Sequence, residues 1–291
     1  MNNDGDYIRF DWAIKRILRD KANAEVLEGL MTVLIGEPIT ITEMLESEGN
    51  QDSKEDKLNR VDVKAKTDKG EYIIVEVQLA RERHFMQRIL FGTSKAIVEQ
   101  MKLSRNYEDI KKVYSINVLY FDLGSGDDYV YHGTTTFHGM THPNSVLQFN
   151  KRESDIVRLG ASVISPREAF PEYFLLRVNQ FNEVAKTPIE EWMDYLKSGA
   201  IKPDTKTPGL QAAREKLNYM KMTDAERHAY DEYMVSVHAA NDVWETAKSD
   251  GYHEGRADEK RDIALKLKQK GMTSADIAEI TGLTKEHIEN L

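Results

Sequence analysis

The chain has no cysteine. That excludes disulfides, a thiolate nucleophile, thiolate zinc sites and iron–sulfur clusters. It also lacks any apolar run approaching the roughly 18–20 residues that cross a bilayer, so no membrane partner is expected. The first residues, MNNDGDYIRFDW, have no apolar signal core, and a cytoplasmic location is expected. Cations are in the minority, with 40 Lys and Arg against 49 Asp and Glu, a formal net charge of −9. Such a balance argues against a chain built throughout to grip phosphates.

The distribution is less one-sided than the sum. Residues 54–105 hold 12 Lys/Arg against 8 Asp/Glu, whereas the first 50 hold 5 against 10. A basic middle inside an acidic chain can still meet an anionic partner if the fold gathers it on one face. The 291 residues suffice for one or two domains with a full core.

Apolar residues at three- and four-residue steps predict helix over 10–35, with a break at Asp20–Asn23 and an end at Gly36. ITITEML after Pro38 reads as a strand, and 48–57 as a polar loop. LNRVDVKAKT and EYIIVEVQLA flank Asp68-Lys69-Gly70 and predict a hairpin, the glycine supplying the positive φ of the turn. A helix over 82–103 and a buried strand over 112–123 follow, with 128–137 expected as that strand's hairpin partner. The order helix, three strands, helix, strand, strand is an α/β class with a mixed sheet.

The second half reads as helical. Residues 170–185 and 189–199 are expected as helices, Pro203 and Pro208 punctuate a linker, and 223–270 reads as one long charged helix. In the last segment Thr273 or Ser274 can cap one helix, Gly282 marks a turn, and Thr284 can cap a second helix carrying Ile288 and Leu291. This is the packing pattern of a helix-turn-helix, a DNA-reading or protein-docking module, and equally of an ordinary αα-hairpin. The expected division is an α/β domain over 1–150, a helical extension over 151–260 and a helix-turn-helix-like tail over 261–291.

The hairpin carries the chemistry. Asp62 lies seven residues before the turn centre near residue 69 and Glu76 seven after it, so the two sit roughly opposite. Facing carboxylates repel, and a hard divalent cation such as Mg²⁺ would resolve the repulsion. Gln78, one pleat on, is placed to orient a water. The same residues also suit a plain solvated sheet face, with Lys64 or Lys66 pairing Glu76.

An Asp on one strand and Glu-x-Gln on the next resemble the PD-(D/E)xK phosphodiesterase superfamily. More narrowly, residues 10–122 resemble the recombination-promoting nuclease family, also described as transposase-like. The stretches that carry this are FDWAIKRIL (10–18), VLEGLMTVLIG (26–36), RVDVKAKTDKGEYIIVEVQ (60–78), HFMQRILFGTSK (84–95) and KVYSINVLYFD (112–122). The resemblance implies a restriction-endonuclease-like core with a C-terminal all-α region. It implies Mg²⁺, with Mn²⁺ as a substitute, held by Asp62, Glu76 and the Val77 carbonyl. Gln78 stands where many members have lysine, and an amide can only orient water and donate a neutral hydrogen bond. Lys64 would then supply the cation. Glu28, with Asp11 second, would be the acidic residue from the first helices, and Arg88 and Lys95 would hold the DNA backbone. His84 reads as a packed or exposed helix-start residue, and Glu43, Glu46 and Glu48 as surface charge. The implied function is a metal-dependent DNA endonuclease linked to recombination or mobile-element movement. The alternative is a catalytically weak or inactive nuclease fold that binds DNA or protein. The long C-terminal helices suggest pairing with a second copy.

Overall fold

A computed structural model describes residues 7–45, 61–81, 83–103, 106–147 and 169–291. The expected polar loop at 48–57, with Glu46 and Glu48, lies outside these residues. The described residues form two compact units, Met1–Thr223 and Asp224–Leu291.

The first unit is a mixed α/β structure around a six-stranded sheet in the order β1-β2-β3-β4-β6-β5. Its strands are β1 (Ile41–Leu45), β2 (Val63–Thr67), β3 (Tyr72–Gln78), β4 (Val113–Leu119), β5 (Val130–Gly133) and β6 (Glu172–Arg177). β1, β2 and β3 are successively antiparallel, β3, β4 and β6 are parallel, and β5 is antiparallel to β6. Helix α1 (Phe10–Arg16) and helix α2 (Ala24–Ile35) precede the sheet, and α3 (Phe85–Leu103) joins β3 to β4. Two further helices, α4 (Pro188–Ser198) and α5 (Leu210–Lys216), close the unit.

Local chemistry explains these elements. The β2–β3 turn places Gly70 at φ +80°, with its amide bonded to the Thr67 carbonyl at 3.0 Å, a conformation only glycine adopts cheaply. α2 ends on left-handed Gly36. α4 opens with a capping box in which Thr187 and Glu190 satisfy each other's backbone amides, followed by Pro188. Every residue of β4 is buried, as its central place between two parallel neighbours requires.

Alternation on β3 sends Tyr72, Ile74 and Glu76 to one face and Ile73, Val75 and Val77 to the other. Tyr72 and Ile74 pack with Val61, Val113 and Ala96 of α3, which therefore covers the Glu76 face. The start of α3 adds Phe85 and Ile89 against Leu119 and Phe121. α1 meets α4 through Phe10, whose ring stands edge-on to Trp192 and Tyr195 with centroids 6.2 and 6.3 Å away. The Tyr195 hydroxyl donates to the Ile8 carbonyl at 2.9 Å, fixing the approach to α1.

Two expectations change. Residues 170–185 are not a helix: 172–177 is β6, followed by a short 3-10 turn. Phe174, Val178, Phe181 and Ala185 recur at helical spacing and are all buried, yet they are spread over a strand, that turn and a loop. Residues 130–133 pair with β6 rather than β4, with Val130 opposite Leu176. Both edges of β4 are taken by β3 and β6, so β5 joins the outer edge of β6.

The second unit is helical throughout. Helix α6 (Asp224–Gln269) runs 46 residues, in line with the long charged helix expected over 223–270. Helix α7 (Ser274–Thr281) and helix α8 (Lys285–Glu289) follow, and Ala264, Ile277 and Ile288 form their small buried core. The caps read from the sequence are present: Thr273 accepts the Asp276 amide, Thr284 accepts the His287 amide, and Gly282 is left-handed.

Candidate active site

The site grows from the β2–β3 hairpin. The register sets Val63 opposite Val75, and one step further places Asp62, just before β2, beside Glu76. Asp62, expected in the middle of a strand over 58–67, lies just before the strand, since β2 begins at Val63. The Val77 amide donates to Asp62 Oδ2 at 2.6 Å, which ties the aspartate to the middle of β3. A short bond to a charged acceptor is strong and orients the carboxylate.

Glu76 is 2% exposed. Burying a carboxylate is costly unless it is paired, and Arg88 of α3 stands with Nε 3.3 Å from Glu76 Oε2. α3 passes close over this acid, because a Cβ added at Gly92 would lie 3.7 Å from Glu76 Oε1. Arg88 thus points inward to the site acid. Lys95, two turns further along α3, is half-buried, and His84, just before the helix, is exposed.

Asp62 is surrounded by cations. Lys15 of α1 stands with Nζ 3.9 Å from Asp62 Oδ1, and Arg19 Nε donates to the Asp62 main-chain oxygen at 2.8 Å. Burial nevertheless pushes the Asp62 carboxyl above its ordinary pKa, outweighing the Val77 amide and the charges of Lys15, Arg19 and Arg88. A carboxylate still raised beside three cations can take more positive charge.

The remaining sequence candidates fall in different places. Gln78 ends β3 half-buried, and its carbonyl accepts the Tyr120 amide at 2.9 Å just beyond β4. Lys64 is bonded to Glu99 of α3 and lies over the Tyr72 ring, 5.5 Å from its centroid. Glu28 of α2 accepts the Ile41 amide at 2.7 Å, so the fold uses its carboxylate where β1 starts. Asp11 of α1 is fully buried and takes Arg9 in a two-pronged pair at 3.1 and 2.9 Å. The Arg9 guanidinium lies over the Tyr120 ring, 5.3 Å from its centroid, so α1 starts beside the strand end that carries Gln78. Glu43 is exposed on β1, as expected of surface charge.

The structure thus brings together Asp62, Glu76, Val77 and Arg88. It adds Lys15 and Arg19, which sequence reasoning did not select. Lys15 had a signal, since it follows Asp11 by one helical turn on α1 and shares its face. Its partner, however, lies 47 positions away in the chain.

A mixed sheet with two acids meeting on neighbouring strands, covered by helices, defines a class of α/β proteins built around a paired-carboxylate site. Within that class, residues 8–138 match the family model described as PD-(D/E)XK nuclease family transposase, which bears out the resemblance read from the sequence. The matched stretch contains α1, the hairpin, α3 and β4. No curated protein and no solved structure matches the chain.

A divalent cation, which this family implies, can be tested against the donors present. Among the described residues no group of three His, Cys, Asp or Glu side chains gathers. Two hard carboxylates suit Mg²⁺, which keeps several waters and is commonly bound through one or two carboxylates. The residues fit such an ion.

Proposed function

We propose that the protein is a metal-dependent DNA endonuclease that hydrolyses phosphodiester bonds during recombination or mobile-element movement. The observation that carries this reading is the meeting of Asp62 and Glu76 across β2 and β3 within the stretch matched by the nuclease–transposase family. Asp62, Glu76 and the Val77 main-chain carbonyl would hold Mg²⁺, or Mn²⁺ in its place. Such an ion, when bound, polarises a phosphoryl oxygen and lowers the pKa of an attacking water.

The chain's own groups do the rest. The Val77 amide holds one oxygen of Asp62, and Arg88 holds Glu76. The Gln78 amide orients water. Glu28, which accepts the Ile41 amide, and Asp11, which holds Arg9, are the acids the first helices could add to the set. Lys95 lies two turns from Arg88 on α3 and would meet the DNA backbone.

We also read α6 as the element on which a second copy pairs. Val243, Trp244 and Tyr252 are exposed there, and nothing lies within 4 Å of a Cβ at Gly251 or Gly255. A pair would bring two active sites, which suits paired strand cuts. Light scattering on the eluting full-length chain should give twice its mass, and a mass of 33.4 kDa rejects the pairing.

The test of the main reading is cleavage of supercoiled plasmid with and without Mg²⁺. Wild type should nick or linearise it, and Asp62→Ala and Glu76→Ala should each lose about 10³-fold in rate. An inert wild type would instead support the fold as a binding module without chemistry, and variants that cut equally well would make the hairpin a scaffold.

A further inference from the structure

We propose that Lys15 supplies, from α1, the positive charge that the Glu-x-Gln ending of β3 leaves out, contacting the scissile phosphate beside Asp62 and Glu76. This rests on the phosphodiesterase reading above. Phosphoryl transfer spreads negative charge over the phosphate oxygens, and a site that reacts fast places a fixed cation there. Gln78 brings no charge. Lys64, the sequence candidate for that task, is committed to Glu99 and the face of Tyr72. Arg88 is held on Glu76, and Arg19 is spent on the Asp62 main-chain oxygen.

Lys15 differs from all three. Its ammonium lies 3.9 Å from Asp62 Oδ1, the oxygen opposite the one the Val77 amide holds. That separation exceeds a hydrogen bond, so the two groups attract without being locked together. Its side chain is 46% exposed, so an incoming DNA backbone can reach it. The helix that carries it is nonetheless anchored, because Phe10, Trp12, Ala13 and Ile14 are buried. An ammonium on a flexible stem makes a point contact to phosphate with three donors.

The experiment uses the full chain and compares wild type, Lys15→Met, and Lys15→Met with Gln78→Lys. Methionine keeps the apolar stem and removes the charge. Plasmid nicking in Mg²⁺ should fall about 10²-fold in Lys15→Met. Lysine at position 78 should restore at least a tenth of the lost rate, because the charge returns from β3. As a readout apart from turnover, binding of a duplex oligonucleotide in Ca²⁺ should weaken in Lys15→Met. The slope of log K against log salt should fall in magnitude by about 0.9, the value of one phosphate contact. If Lys15→Met cuts like wild type, the proposal is wrong and the nuclease reading survives. If cutting falls but neither Gln78→Lys restores it nor the salt slope changes, Lys15 is only the counter-ion of Asp62. If wild type itself never cuts, the nuclease reading and this proposal fall together.

Discussion

The two units handle charge in opposite ways. In the sheet unit ionised groups go inside and are held there: Asp11 by Arg9, Glu76 by Arg88, and Glu172 by Lys112 and His132. In the helical unit the charges of α6 face water, and burial is sparse: Tyr230 and Val237 along α6, and a small cluster around Ala264, Ile277 and Ile288. Buried charge is expensive, so a fold that buries it repeatedly must place each partner well. The same accuracy is what a site for a cation and a phosphate requires. A long solvated helix needs no such accuracy, and its contribution is surface.

The Lys112–Glu172–His132 cluster offers the hardest test of that contrast. Lys112 reaches Glu172 Oε1 at 2.5 Å, and His132 reaches Oε2 at 2.7 Å while its ring stacks on Phe174 at 4.3 Å. Removing the carboxylate in Glu172→Ala leaves Lys112 buried and unpaired, and denaturant unfolding should show a loss of about 3–5 kcal/mol. A loss under 1 kcal/mol would mean that burial of charge in this unit is cheap, and the contrast would dissolve. The cluster also sets a pH dependence. Burial alone would raise the Glu172 pKa, but the bonds from Lys112 and His132 outweigh it and hold the carboxyl below its ordinary 4.5. An acid whose pKa is lowered on folding stabilises the fold above its unfolded value and loses that contribution as pH falls through the lowered folded one. The gap between wild type and Glu172→Gln should therefore be full at neutral pH and close below the usual carboxylate range.

In the helical unit the matching test is Ile277→Asp, which forces a charge into the apolar cluster of Ala264, Ile277 and Ile288. A loss of about 3 kcal/mol is expected in the melting of the α7–α8 tail, with the plasmid-nicking rate unchanged. Loss of nicking would show that the tail takes part in the site. Thr284→Ala removes one cap in the same unit and should cost about 1 kcal/mol, seen as weaker amide-exchange protection in α8.

The smallest effect has an unusual sign. The Asp62 pKa is raised, so its ionised form destabilises the metal-free fold at neutral pH. Asp62→Asn keeps an acceptor for the Val77 amide and drops the charge. Its melting temperature without metal should rise at pH 7. The rise should shrink as pH falls through the folded pKa and vanish below the ordinary aspartate value of 3.8. A lowered melting temperature at pH 7 would mean that Lys15, Arg19 and Arg88 already compensate the carboxylate fully, leaving no place for a further cation.

Much of the molecule was legible locally. The Asp68-Lys69-Gly70 turn, the opposition of Asp62 and Glu76, the ends of α2 and α6, and the Thr273, Gly282 and Thr284 caps follow from residues close in sequence. Turns and caps are short-range chemistry, and a hairpin's register follows from its turn. The helix expected over 170–185 failed because spacing alone does not tell whether buried residues lie on one helix or on a strand and the turn after it. The pairing of 130–133 failed because a strand's neighbour depends on which edges remain open.

The sequence by itself determined the α/β class, the carboxylate pair on the hairpin and the long charged helix, since each is written in local period and turn chemistry. Only the tertiary structure decided which cations attend that pair. Lys64 was spent on Glu99 and Glu28 on the Ile41 amide, while Lys15 and Arg19 were brought to Asp62 from the N-terminal helical segment. Charge pairing acts through space over a few ångströms, and chain position does not encode distance between elements that meet only when the core closes.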